Sequence, residues 1–352
     1  MEGFIRESLP MRVVFGEGVF AELGNEIQRL GAIQPFLISH GSGQLTDLAC
    51  SLFPRWAGVW TDVRQHVPTE LADRCCQAIT DAGADLLVAV GGGSATGLAK
   101  AVAHRSGLKI LCVPTTYAGS EMTPIWGQTD GRSKITARHP GVLPAAVIYD
   151  PTLVFGLRRQ VVAASGMNAL AHCVEALYAP QADPLTSLMA TEGARLLFEY
   201  LPAAVNGPAG IGLSEIMWAS CLAGSVLGTV GGSLHHSLCH LLGGLHDLPH
   251  AETHAVVLPH VLSYLMDDVK LQLRPLAETL GVRVELVPGS VWDLAVSLGA
   301  PTGLGDLGIT KADVDEIVQQ LMERNPPSPR PLVVGEATDL VHCLVDGARP
   351  PS

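Results

Sequence analysis

The chain has 352 residues, enough for about two domains of roughly 150 residues each, and its 47% hydrophobic and 16% charged content can fill large buried cores. A formal net charge of −12 argues against a nucleic-acid partner, because phosphate binding needs clustered Lys and Arg; an anionic substrate in a local basic pocket stays open. The eight cysteines, at 50, 75, 76, 112, 173, 221, 239 and 343, include no CxxC pair, so neither a zinc ribbon nor a disulfide framework is expected. The first residues, MEGFIRESLPMRVVF, lack a basic-then-apolar leader pattern, which with the thiols points to the cytoplasm. Residues 216–234 carry no charge over about the length of a membrane span. Their Gly, Ser and Thr content and the histidines that follow favour a buried core helix, so no membrane partner is expected.

In chain order, apolar runs of strand length fall at 11–15, 34–39, 85–90, 108–113 and 145–149, with helical patterns between them, clearest at 68–82 and 94–105. This alternation predicts an α/β domain with a parallel sheet, which binds ligands at the carboxyl ends of its strands. After Asp150-Pro151 strand-like runs cease, and Ala/Leu-rich helical stretches follow at about 159–179, 184–203, 212–228 and 233–244. We therefore expect an α/β domain over 1–155 and an all-helical domain over 156–352. The Pro-rich tail from 325 holds one short helix.

The run Val88-Ala89-Val90 leads into Gly91-Gly92-Gly93-Ser94. Glycines let backbone N–H groups approach a ligand, a helix N-terminus favours negative charge, and Ser94 is a suitable N-cap. A pyrophosphate is the natural guest; a plain tight strand-to-helix turn is the alternative. The pattern is neither GxGxxG, since Thr96 stands at the last position, nor a Walker loop. The next strand ends in Pro114-Thr115-Thr116-Tyr117-Ala118-Gly119-Ser120-Glu121, whose hydroxyls and N–H groups can hold a phosphate, a ribose or an amide at the same sheet edge.

Seven of the thirteen histidines lie between 235 and 260. His236 and His240 share a helix face, His250 and His254 repeat that spacing, and Asn168 and His172 do so upstream. Imidazoles converging from several helices can bind a metal, shuttle protons or hold carboxylates. His235 and His260 read as ordinary hydrogen-bonded residues.

Five strings, GGGSATGLAK (91–100), PTTYAGSEM (114–122), GMNALAHCVE (166–175), LHHSLCHLLGG (234–244) and PHAETHAVVLPH (249–260), resemble the iron-dependent alcohol dehydrogenase superfamily, and within it the maleylacetate reductases. The resemblance covers nearly the whole chain. It implies that 1–155 is a dinucleotide-binding domain and 156–352 a helical substrate domain, with the active site in the cleft between them, Gly91, Gly92, Gly93 and Ser94 at the pyrophosphate and Thr115, Thr116 and Ser120 nearby. It also implies that Lys134 contacts the cofactor ribose or the substrate. Metal-binding relatives use one Asp and three His, matching Asn168, His172, His236 and His250 here; with the Asp absent, no metal is expected. Where relatives carry a ribose-binding Asp this chain has His40, so NADH and NADPH should both serve. The implied reaction is reduction of the C=C bond of maleylacetate to give 3-oxoadipate, in a homodimer. The substrate is a dianion, so cationic or strong donor groups should hold it: His172, His236, His240, His250 and His254, with Tyr117 as a hydroxyl donor. Alternatives are a metal-dependent alcohol or polyol dehydrogenase, a lyase like dehydroquinate synthase, and a ligand-binding module without activity.

Overall fold

A computed structural model describes residues 4, 6–40, 43–131, 133–208 and 210–351, without the side chains of residues 133 and 134. The chain forms two compact units: one spans Ser8–Gly156, and the other runs from Leu157 onward and takes in the described N-terminal residues Phe4, Arg6 and Glu7. Arg6 joins the second unit by donating from Nη1 to Asp183 Oδ1 (2.9 Å) and Oδ2 (2.7 Å) and to Thr186 Oγ1 (3.0 Å).

In the first unit the elements are β1 (Arg12–Phe15), α1 (Leu23–Arg29), β2 (Pro35–Ser39), α2 (Gln44–Ser51), β3 (Gly58–Trp60), α3 (Thr69–Asp81), β4 (Leu86–Gly91), α4 (Gly93–Ser106), β5 (Ile110–Pro114), β6 (Ile125–Asp130), β7 (Ser133–Arg138) and β8 (Ala146–Tyr149). Six strands make one parallel sheet in the order β1-β8-β5-β4-β2-β3. Strands β2, β4, β5 and β8 are buried along their whole length, which is why they read as unbroken apolar runs rather than alternating ones. Leu37, Val88, Val90, Leu111, Val113 and Ile148 form the centre of that core. Two features differ from the sequence reading. Strand β3 is a three-residue edge strand, too short to register as a run. The β6–β7 hairpin lies outside the main sheet, and its polar, partly exposed strands lack an apolar signal; only the Asp130-Gly131 turn marks it, with Gly131 at φ 56°.

Among the described residues the second unit is built of helices, as the sequence predicts: α5 (Arg159–Tyr178), α6 (Pro184–Asn206), α7 (Leu213–Val230), α8 (Leu234–His246), α9 (His250–Val269), α10 (Arg274–Leu280), α11 (Val287–Ser297), α12 (Val314–Arg324) and α13 (Val334–Asp346). Helix α5 is buried on all sides from Val162 to Tyr178 and packs against α6, α7 and α9. Helix α7 is long and apolar enough to cross a membrane, but it packs against α5 and α6 with most of its length buried. Asp247, in the left-handed region at φ 53°, ends α8, and Pro249 precedes α9, so the two histidine-bearing helices return against each other.

Candidate active site

The nucleotide edge is built where β4 and β5 end. Gly91 and Pro114 are in register, and the Thr115 N–H donates to the Gly91 carbonyl at 3.0 Å, tying the two polar turns together. A Cβ on Gly92 would sit 2.9 Å from Thr116 Cγ2, and one on Gly91 would sit 2.9 Å from Ala95 Cβ. Glycine is therefore required by close approach within the turn itself. Gly93 opens α4 with Gly92 as its N-cap, so Ser94 lies inside the first turn. This corrects the expectation that Ser94 caps the helix: glycine takes the capping position because Thr116 leaves no space for a side chain there.

His40 follows β2, exposed, with its Cβ 3.9 Å from where a Gly91 Cβ would stand. It therefore borders the glycine turn, while the neighbouring Gly41 and Ser42 lie outside the described residues. Tyr117 is fully buried, and its hydroxyl and Ser120 Oγ have no hydrogen-bond partner among the described residues. Burial pushes the Tyr117 phenol well up, so it stays protonated and can act only as a neutral donor or acceptor. Lys134 pairs with Thr129 across the hairpin, and its side chain lies outside the described residues.

Sequence reasoning passed over Lys100, two turns into α4. It is 1% exposed, and its ammonium donates to the carbonyls of Ser120, Thr123 and Ile125 and to Thr123 Oγ1. The second turn is thus tethered to the helix that begins at the first. Burial lowers the Lys100 pKa to about 8, opposed by Cys112 and Glu121. Glu121, itself raised by burial, accepts from the Tyr149 hydroxyl at 2.6 Å. A lone charge amid Gly-Leu-Ala-Lys-Ala-Val-Ala was the available signal.

The helical unit gathers the imidazoles. His172 on α5 stacks on His236 of α8, with ring centroids 5.1 Å apart at 24°. His254 of α9 lies 4.9 Å from His236 and 4.4 Å from His250, and His250 lies 5.8 Å from His240. All five predicted histidines therefore converge, with Asn168 buried one turn before His172. His235 belongs with them, since its ring is 4.7 Å from that of His254; His260 is buried further along α9 and hydrogen-bonded by the Thr302 backbone.

Glu175, also passed over, organises this cluster. It is 1% exposed, pairs with His236 Nδ1, and accepts from the His235 N–H at 3.1 Å. Burial alone pushes its carboxyl up, but His236, His235 and the hydrogen bonds outweigh it, leaving the pKa below its usual value. The spacing His172-x-x-Glu175, one face of one helix, was the legible hint. Burial, then the neighbouring imidazoles, hold His172 and His254 well below the usual histidine value, and His235 falls to about 4. Of the two alternatives the sequence offers, cation or neutral donor, His172 and His254 therefore take the second: near neutral pH they, like His235, are neutral donors or ligands, because the cluster is dry and its members repel each other's charge.

A family model described as iron-containing alcohol dehydrogenase matches residues 10–151, and one described as the C-terminal part of the Fe-containing alcohol dehydrogenase family matches residues 162–342. A maleylacetate reductase of Rhizobium sp. (strain MTP-10005) is 44% identical over 99% of this chain and 100% of its own length. The crystal structure of maleylacetate reductase from Agrobacterium tumefaciens has a TM-score of 0.93 at 42% identity, covering 99% of this chain and 100% of that one. That of an iron-containing alcohol dehydrogenase from Corynebacterium glutamicum has a TM-score of 0.91 at 37% identity, covering 99% of both.

These matches overturn the expectation of no metal, because the family is defined as iron-containing and so implies an iron ion beside the nicotinamide nucleotide. The donor set fits such an ion. His172 Nδ1 and His236 Nε2 are buried without a hydrogen-bond partner among the described residues. Metal ligation needs neutral imidazole, and Glu175 on Nδ1 of His236 is the carboxylate that commonly orients a ligating histidine, leaving Nε2 for the metal. Asn168 removes an anion at one position, but a buried carboxylate, Glu175, stands one helical turn beyond His172. By both halves of its length the chain belongs to the iron-containing alcohol dehydrogenase family.

Proposed function

We propose that this chain is an NAD(P)H-dependent reductase that converts the C=C bond of maleylacetate to the saturated bond of 3-oxoadipate. The observation that carries the reading is the set of buried imidazole nitrogens without a hydrogen-bond partner among the described residues: His172 Nδ1, His236 Nε2 and both nitrogens of His254. Such nitrogens call for a polar guest, and the full-length similarity to maleylacetate reductases supplies its class.

When bound, the nicotinamide supplies a hydride and the iron a Lewis acid. His172, His236 and His250, with the Asn168 amide, are the residues that would hold the ion. Hydride addition to the alkene carbon β to the ketone leaves an enolate, N–H donors held in a dry site stabilise that oxyanion without reorganising, and a proton delivered to the neighbouring carbon restores the ketone and completes the saturated bond. His240, half-exposed beside His250, would donate to a substrate carboxylate, and His254 joins His250 to the buried set. In the other unit, Gly91, Gly92, Gly93 and Ser94 receive the pyrophosphate, with Thr115, Thr116 and Ser120 beside them; Lys134 serves the ribose or the substrate. His40 brings no carboxylate to the ribose end, so NADPH is accepted alongside NADH. We further propose a cytoplasmic homodimer.

An alcohol dehydrogenase activity is favoured by one observation, the 37% identity to an iron-containing alcohol dehydrogenase. Steady-state NADH oxidation with maleylacetate, set against propanal reduction and glycerol oxidation, separates the two. The reductase reading predicts strong preference for the dianionic enone; equal efficiency on propanal or glycerol refutes it.

A further inference from the structure

Behind the imidazoles matched to the family's metal ligands lies a second group that shares none of them. His235 and Cys239 stand one turn apart on α8, so their side chains point the same way, and His254 meets them from α9. All three are essentially without solvent exposure, at 0%, 1% and 0%. One donor atom from each lies within 4.8 Å of the others. His235 Nε2 is 3.7 Å from Cys239 Sγ. Zinc bonds of about 2.05 Å to nitrogen and about 2.3 Å to sulfur, at a tetrahedral angle, put the two ligand atoms about 3.6 Å apart. Both nitrogens of His254 are fully buried and have no hydrogen-bond partner among the described residues, while His235 Nε2 lies 3.4 Å from the His254 carbonyl as well as near the sulfur. A polar atom in that position normally has a partner in protein, water or an ion.

We propose that His235, Cys239 and His254 form a second metal site, bearing a thiolate, that takes a thiophilic cation of the zinc class. The sulfur determines the class. A coordinated thiol loses its proton outright, and thiolate with two imidazoles selects zinc-like ions over magnesium, calcium or manganese. It also supplies an anionic ligand, which Asn168 does not.

The test uses cobalt as the probe. The full-length protein is expressed in minimal medium supplemented with cobalt, so that the metal is present while the chain folds and access to a buried site does not decide the result. A thiolate ligand gives cobalt a near-ultraviolet charge-transfer band that imidazole and carboxamide ligands do not. The site predicts that band in the wild type, its loss in Cys239→Ser, and its retention in Cys343→Ser, whose thiol is exposed and on α13. Should Cys239→Ser fold poorly, X-ray absorption on the zinc-loaded wild type provides the same information, with one sulfur expected at about 2.3 Å. Bound metal with only nitrogen and oxygen neighbours, a band that survives Cys239→Ser, or no bound metal at all overturns the proposal; the 3.7 Å contact is then a thiol donating to an imidazole in an ordinary core.

Discussion

Replacing Gly92 with alanine isolates the contact between the two turns at the nucleotide edge. The backbone at Gly92 has φ −78° and ψ −167°, which any residue adopts, so the change carries no conformational penalty of its own. The added methyl stands 2.9 Å from Thr116 Cγ2 and 3.1 Å from its Oγ1, against an optimum of about 3.5–4.0 Å between carbons. Either Thr116 gives way or the turn moves, and overpacking of this kind costs about 1–3 kcal/mol. If the turn moves, the backbone groups that receive the pyrophosphate move with it, and NADH affinity falls by about 5- to 100-fold at 1.4 kcal/mol per decade. Thr116→Ser deletes Cγ2 and keeps the hydroxyl. The double variant should therefore recover most of the loss, with a coupling energy of about 1–2 kcal/mol. NADH titration by fluorescence, with urea denaturation on the same four proteins, measures both quantities. An unchanged NADH affinity in Gly92→Ala, or a double variant no better than the sum of the singles, refutes the reasoning.

Glu175→Gln keeps the shape but removes the charge behind His236; metal retention or kcat should fall by about 10- to 100-fold, read by elemental analysis and steady-state kinetics, and full retention of both would sink the assigned role. His40→Asp should move the NADH-to-NADPH ratio of kcat/KM toward NADH by roughly tenfold, since a carboxylate repels a 2′-phosphate and accepts from a 2′-hydroxyl; an unmoved ratio removes His40 from the ribose end. Lys100 titrates near 8 when folded against an ordinary 10.5, so between these values the unfolded chain binds more protons. The penalty for burying the charge, roughly 3 kcal/mol, is then fully present below about pH 8 and is relieved as pH rises toward 10.5. Urea unfolding across that window should show stability gained by the wild type relative to Lys100→Met, and identical slopes would contradict it.

The parallel sheet was legible because its central strands are covered on both faces, so PFLIS, LLVAV and AAVIY leave continuous apolar runs. The hairpin around Gly131 was not, because its strands are polar and only partly buried. The same contrast holds at the site. Histidines are rare enough that their spacing at 236, 240, 250 and 254 announces converging helix faces. Glu175 and Lys100 are charged residues of ordinary frequency, and only their burial reveals them. The charge state of the cluster was the hardest to read, since proximity and dryness, not residue type, decide it. The metal was misjudged for a related reason: one missing carboxylate at 168 was visible in the string, while the neutral imidazoles and the orienting Glu175 emerge only when α5 and α8 are packed.

Helix α5 has no solvent face from Val162 to Tyr178, and it carries Asn168, His172 and Glu175 within that stretch. Three surrounding helices stop it from rolling or sliding, so each of these residues keeps its address whatever its neighbour becomes. A single base change at 168 can exchange an amide for a carboxylate while His172 and Glu175 stay in place. The scaffold thus makes a change of chemistry a one-step move, where a site assembled from loops would need several coordinated ones.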